Sequence, residues 1–66
     1  MDTLKIGEEL RKLRGNKTQE EIAHAIGVSP AAIGMYERGD RIPRDEIKVK
    51  LANYFNASVE SIFFTN

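Results

Sequence analysis

The side chains able to do chemistry in this 66-residue chain are mostly arginines and lysines, set in two short runs. Residues 11–17, RKLRGNK, carry four positive charges and no acid; residues 38–44, RGDRIPR, carry three and one acid. Gln19 and Ser29 lie between the runs and can donate hydrogen bonds to an oxygen. Guanidinium and ammonium groups bind anions, and the planar arginine fork also fits the edge of a base. Bond-making chemistry lacks its parts. There is no cysteine, and the one histidine, His24, cannot build a metal site alone. No nucleophile stands beside a base, no carboxylates pair in an apolar setting, and no glycine-rich loop could cradle a phosphate. Neither an enzyme nor a cofactor is expected.

The formal charge is zero, from ten Lys and Arg against ten Asp and Glu. A chain drawn to nucleic acid by bulk charge would be strongly basic. Here the distribution has to substitute. The acids gather at Glu8-Glu9, Glu20-Glu21 and Asp45-Glu46, largely away from the basic runs. Within a Debye length of ~10 Å, local sign outweighs net charge. Non-specific attraction should be weak, and binding should depend markedly on salt.

The elements that position these groups are helical. Ile6, Leu10 and Leu13 recur at i, i+4, i+7 and predict a first helix from about Leu4 to Arg14, capped by Asp2 or Thr3. Thr18, with Glu21 three residues on, makes a capping box for a second helix, Gln19 to Ile26, whose apolar face is Ile22, Ala23 and Ile26. Gly27 ends it. Ser29 caps a third helix with Pro30 at its first position, running to Arg38, with Ile33, Tyr36 and Glu37 on its inner side. Gly39 ends that one. Two short helices at a tight turn make a helix-turn-helix.

The set Thr18-Gln19, Ile22-Ala23, Gly27-Val28-Ser29, Ile33, Glu37 and Gly39 closely resembles the lambda-repressor-like DNA-binding family of phage repressors, Cro-type antagonists and small bacterial regulators. The resemblance continues through Arg41-Ile42-Pro43 and Leu51-Ala52 to Val59, so nearly the whole chain is covered. It implies an all-α, five-helix domain over 1–66. Helix 4 would begin with Asp45 and Glu46 and bury Ile47, Leu51, Ala52 and Phe55. Ser58 would cap a fifth helix, Val59 to about Phe63, with Val59 and Ile62 closing the core. Lys48, Lys50 and His24 would be solvated.

By the same resemblance, helix 3 enters the major groove of double-stranded DNA. Pro30, Ala31, Gly34, Met35 and Arg38 would face it, with Ala32 at the edge and Ser29 at the entry. Gln19 would hold a phosphate at the start of helix 2, and Arg41 and Arg44 would face the other strand. The surface offers almost no base-reading donor before Arg38, so an A·T-leaning site read through thymine methyls and DNA shape is expected. Family members often pair a helix 1 arginine with the glutamate equivalent to Glu37. The loop Gly15-Asn16-Lys17 is short, which makes both Arg14 and Arg11 candidates, Arg14 preferred. Lys17 stands where an apolar residue is usual, which should thin the core there. The rest of RKLR reads equally as a solvated helix face or as phosphate contacts.

A core of this size yields ~3–5 kcal/mol of net stability. Adjacent Phe63 and Phe64 cannot both face one core, so they and Tyr54 are candidate dimer-interface residues, with Val49 able to join. A two-fold dimer would set two recognition helices ~34 Å apart. The expected function is a dimeric repressor on a palindromic operator, in a cytoplasmic, bacterial setting. No disulfide, signal peptide, membrane span or small-molecule ligand is indicated. The alternative is a protein-interaction module on the same fold, such as an antitoxin or a regulator-binding subunit. The RIPRDEIKVKLANYF stretch resembles small regulators of Gram-positive bacteria and their phages.

Overall fold

Five helices form in chain order in the computed structural model, which describes residues 2–64: α1 Thr3–Arg14, α2 Gln19–Ile26, α3 Pro30–Arg38, α4 Asp45–Tyr54 and α5 Val59–Phe63. Asp2 is the first cap; its carboxylate accepts from the backbone N–H of Leu4 at 3.1 Å and of Lys5 at 3.2 Å. The Thr18–Glu21 capping box closes in both directions. Gly27 takes φ 77°, ψ 34°, the left-handed conformation that lets α2 stop and the chain turn at once into α3. Ser29 Oγ then accepts from Ala32 N at 3.1 Å, with Pro30 in the first turn.

α1 and α2 both pack on α3, α4 lies against α2, and α5 bridges α4 and α1. Ile6, Leu10, Ile22, Ala23, Ile26, Ile33, Tyr36, Leu51, Ala52, Ile62 and Phe63 make the buried centre. Leu13, Ile47, Phe55 and Val59 reach it only in part, so the stripes expected of α1, α4 and α5 are shallower at their ends. Ala32 is buried as well and does not edge the groove, because α3 turns it toward the packed side.

Gly7 was not singled out in the sequence, and Lys48 and Lys17 depart from expectation. Gly7 is buried where α1 crosses α3: a Cβ there would lie 2.7 Å from the carbonyl carbon of Glu37. Lys48 is buried too, only 8 % exposed, where solvation was expected. Its stem covers apolar surface, its Nζ lies 5.9 Å from the Phe63 ring centre and 5.4 Å from that of Phe64, and Asp45 Oδ1 is 3.4 Å away. Lys17 fills the usual apolar place by lying 4.9 Å over the Tyr54 ring and donating to its hydroxyl at 3.2 Å. Tyr54 in turn meets Phe55 edge-on at 5.1 Å. No helix among the described residues is long and apolar enough to cross a membrane.

Candidate nucleic-acid interface

The interface is built outward from one carboxylate. Glu37 lies in α3 with its side chain only 3 % exposed, yet it is charged and fully partnered. Arg14 Nε donates to Oε2 at 2.6 Å and Nη2 to Oε1 at 3.1 Å, a two-point fork from α1. Gln19 Nε2 donates to Oε1 at 3.0 Å from the start of α2. Arg11 stands 4.0 Å from the same oxygen with most of its side chain in solvent. Burial alone would push the Glu37 carboxyl up. The hydrogen bonds from Arg14 and Gln19 and the nearby guanidinium charges outweigh it, so the group is held below the usual carboxylate range. The same hydrogen bond raises Arg14, against a smaller effect of burial. Of the two candidate partners, Arg14 makes the close pair and Arg11 the distant one.

This network positions Gln19. A carboxylate only accepts, so the amide must turn its NH2 to Glu37; its Oε1 and Nε2 both pass close to Gly34, 3.6 and 3.7 Å from where a Cβ of that residue would be. The Gln19 and Glu20 backbone N–H groups in the first turn of α2 have no intrahelical acceptor. Ser29 is exposed and its hydroxyl accepts the α3 cap bond, leaving its own O–H proton to give.

Along α3, Pro30, Ala31 and Arg38 are exposed, Met35 is half-buried, and Gly34 is covered. The cover on Gly34 is polar. Arg38 folds back along the helix so that its Nη1 would lie 3.1 Å from a Cβ at Gly34, and the Gln19 amide closes the other side. Arg38 Nε also donates to Asp40 Oδ2 at 2.9 Å. Asp40 was not marked as functional from the sequence, although the Arg-Gly-Asp spacing put an acid within reach of the arginine. Arg41 and Arg44 are exposed on the segment after α3, Arg44 with Glu46 4.0 Å away. The outward α3 residues, Gln19, Ser29 and the three arginines thus lie on or beside the helix-turn-helix, as their places in sequence required.

The proposed interface aromatics divide. Phe63 is 0 % exposed inside its own protomer and is withdrawn from any interface, whereas Phe64 is 56 % exposed. Tyr54 is half-buried under Lys17.

Comparison with known proteins agrees with this geometry. A helix-turn-helix family profile matches residues 8–62. An uncharacterized HTH-type transcriptional regulator of Archaeoglobus fulgidus is 42 % identical over 48 residues, 73 % of this chain and 68 % of the relative. The restriction-modification controller protein C.AhdI from Aeromonas hydrophila superposes with a TM-score of 0.84 at 33 % identity, over 94 % of this chain and 97 % of that one. The P22 c2 repressor protein, solved in complex with a synthetic operator, does so with 0.84 at 27 % identity, over 86 % and 89 %. The chain belongs to the lambda-repressor-like helix-turn-helix family of DNA-binding transcriptional regulators.

Proposed function

We propose that this chain is a sequence-specific repressor that binds a palindromic operator as a homodimer, with α3 in the major groove. One observation carries the reading. The outward face of α3 is small and apolar at Pro30 and Ala31, with Met35 half-exposed, and groups able to donate hydrogen bonds border it: Ser29 at its start, Gln19 beside Gly34, and Arg38, Arg41 and Arg44 at its end. Phosphates gripped by Ser29, Arg41, Arg44 and the backbone N–H groups at the start of α2 would set the depth of the helix, and the small face would allow its backbone close to the bases. Ala31, Pro30 and Met35 suit thymine methyl groups. The similar P22 c2 protein is a repressor solved with an operator, which supports a like role here.

The dimer reading rests on Phe64, an aromatic ring more than half exposed. Paired about a two-fold axis, such rings would bury apolar surface and present two α3 helices to successive major grooves. Val49 is also exposed on α4 and could extend the patch.

Selection of bound duplexes from a random pool at ~0.1 M salt, with sedimentation of the free chain, tests both points. A palindromic motif with half-sites ~10 bp apart is expected. A single half-site overturns the dimer alone. No enrichment by folded protein overturns the DNA reading. It would favour a protein-interaction module, a use that the apolar outward face of α3 also suits.

A further inference from the structure

We infer that Arg38 reads a guanine in each half-site, seated on Gly34 and braced by Asp40. The inference rests on α3 occupying the major groove, and it adds a base-reading donor to a face otherwise suited to methyl groups. Gly34 lies on the outward side of α3, one turn before Arg38. A long helical side chain covers the turn N-terminal to its own Cα, so the Arg38 guanidinium is carried back toward the middle of the helix. There its Nη1 would be 3.1 Å from a Cβ at position 34, closer than an ordinary contact, so an alanine there would make the guanidinium give by a few tenths of an ångström. The Gln19 amide flanks the same position.

The acid beside the arginine separates two possible uses. Asp40 Oδ2 takes the Nε proton at 2.9 Å. For a phosphate contact that arrangement is counterproductive, since a carboxylate repels the anion and spends part of the cation's charge. For base reading it is useful. It restrains the plane of the guanidinium through a surface ion pair and leaves Nη1 and Nη2 without a hydrogen-bond partner among the described residues, the two groups that donate parallel hydrogen bonds to the O6 and N7 of guanine. Among the described residues no carboxylate pairs so closely with Arg41 or Arg44, Glu46 standing 4.0 Å from Arg44, so both suit phosphates better.

The test compares wild type with Arg38→Lys, Arg38→Ala and Gly34→Ala on the selected duplex and on duplexes changed at one symmetric position. Wild type should prefer guanine at one position of each half-site by roughly ten- to a hundredfold. Both Arg38 variants should lose that preference and keep those at other positions. Lysine matters here because it preserves charge and removes only the fork. Gly34→Ala should raise Tm by about 4–8 °C through helix propensity, yet weaken the same guanine preference by displacing the guanidinium. A stabilised protein with altered reading cannot be explained by misfolding.

A selected motif without guanine overturns the inference. So does a loss of affinity in Arg38→Ala that is uniform across sequences, comes with a lower salt slope and is largely restored in Arg38→Lys, which would make Arg38 a phosphate contact. A guanine preference untouched by Gly34→Ala overturns the seat. If wild type selects no motif at all, the groove placement of α3 fails first, before any variant is compared.

Discussion

Replacing Arg14 by alanine should damage the fold more than replacing Glu37 by glutamine, although the two changes break the same ion pair. The asymmetry comes from where the orphaned charge is left. The Glu37 side chain is 3 % exposed and that of Arg14 is 20 %. In Arg14→Ala the orphan is a buried carboxylate, a loss of about 3–5 kcal/mol where nothing compensates. Gln19 still donates at 3.0 Å and Arg11 stands 4.0 Å away. With about 1 kcal/mol from such a contact, the net loss is about 2–4 kcal/mol. For a domain of this size that amounts to a fall in Tm of about 10–30 °C. In Glu37→Gln the orphan is a guanidinium that keeps the Lys17 carbonyl at 2.8 Å and can reach water, so the loss should be about 1–2 kcal/mol. Urea unfolding at pH 7 and pH 4 gives a second check. Because the folded Glu37 carboxyl lies below its ordinary value, its contribution is complete above the unfolded pKa of about 4.3 and is lost as pH falls through the lower folded value. In Arg14→Ala burial is no longer outweighed, and protonation relieves the carboxylate. The gap between wild type and variant must therefore narrow from pH 7 to pH 4. A gap that holds or widens, or a Glu37→Gln loss as large as that of Arg14→Ala, refutes this account.

Three further outcomes follow from packing and charge. Gly7→Ala should destabilise by about 1–3 kcal/mol despite alanine's better helix propensity, because a Cβ meets the Glu37 backbone and α1 must move off α3; thermal unfolding reads it. Phe63→Ala should remove about 3–5 kcal/mol, whereas Phe64→Ser should leave Tm at low protein concentration within about 0.5 kcal/mol of wild type and convert a sedimenting dimer to monomer. Arg41→Ala should lower operator affinity alike across sequences and reduce the slope of log K against log salt by about 1.

The helix-turn-helix was legible because local rules overdetermine it. The cap at Thr18, the glycine at 27 and the Ser29-Pro30 pair each fix a boundary within a few residues of the chain, and all agree. The side of α3 that faces outward was legible for Pro30, Ala31 and Met35, since burying Ile33 and Tyr36 leaves the helix little rotational choice. Where the reading failed, the cause was non-local. Lys48 looked like any surface lysine, because its cover comes from Phe63 and Phe64, at the end of a helix it does not belong to. Nothing about Gly7 in sequence tells that another backbone passes over it. Ala32 sits between the two faces of α3, where a small rotation decides its fate. Phe63 and Phe64 were seen as a pair that must split, but which one turns inward depends on how α5 meets α4 and α1.

Glu37 also ties binding to folding. Its carboxylate joins α1 through Arg14, α2 through Gln19 and α3 through its own backbone, so one group ties three helices together and sets the pose of the Gln19 amide, which the proposed function places at a phosphate. Only an obligate acceptor forces the Gln19 NH2 inward. A glutamine at position 37 offers a donor as well as an acceptor, and Gln19 is then free to flip. Glu37→Gln should therefore lose operator affinity by about three- to tenfold, the worth of one misplaced hydrogen bond, beyond anything its lower stability explains. The measurement belongs at a temperature where both proteins are more than nine-tenths folded by circular dichroism, a state that makes the unfolded fraction too small to account for such a change. Gln19→Ala should abolish the difference, since an alanine has no pose to lose. Equal affinities of the folded wild type and Glu37→Gln proteins would mean that Glu37 serves the fold alone.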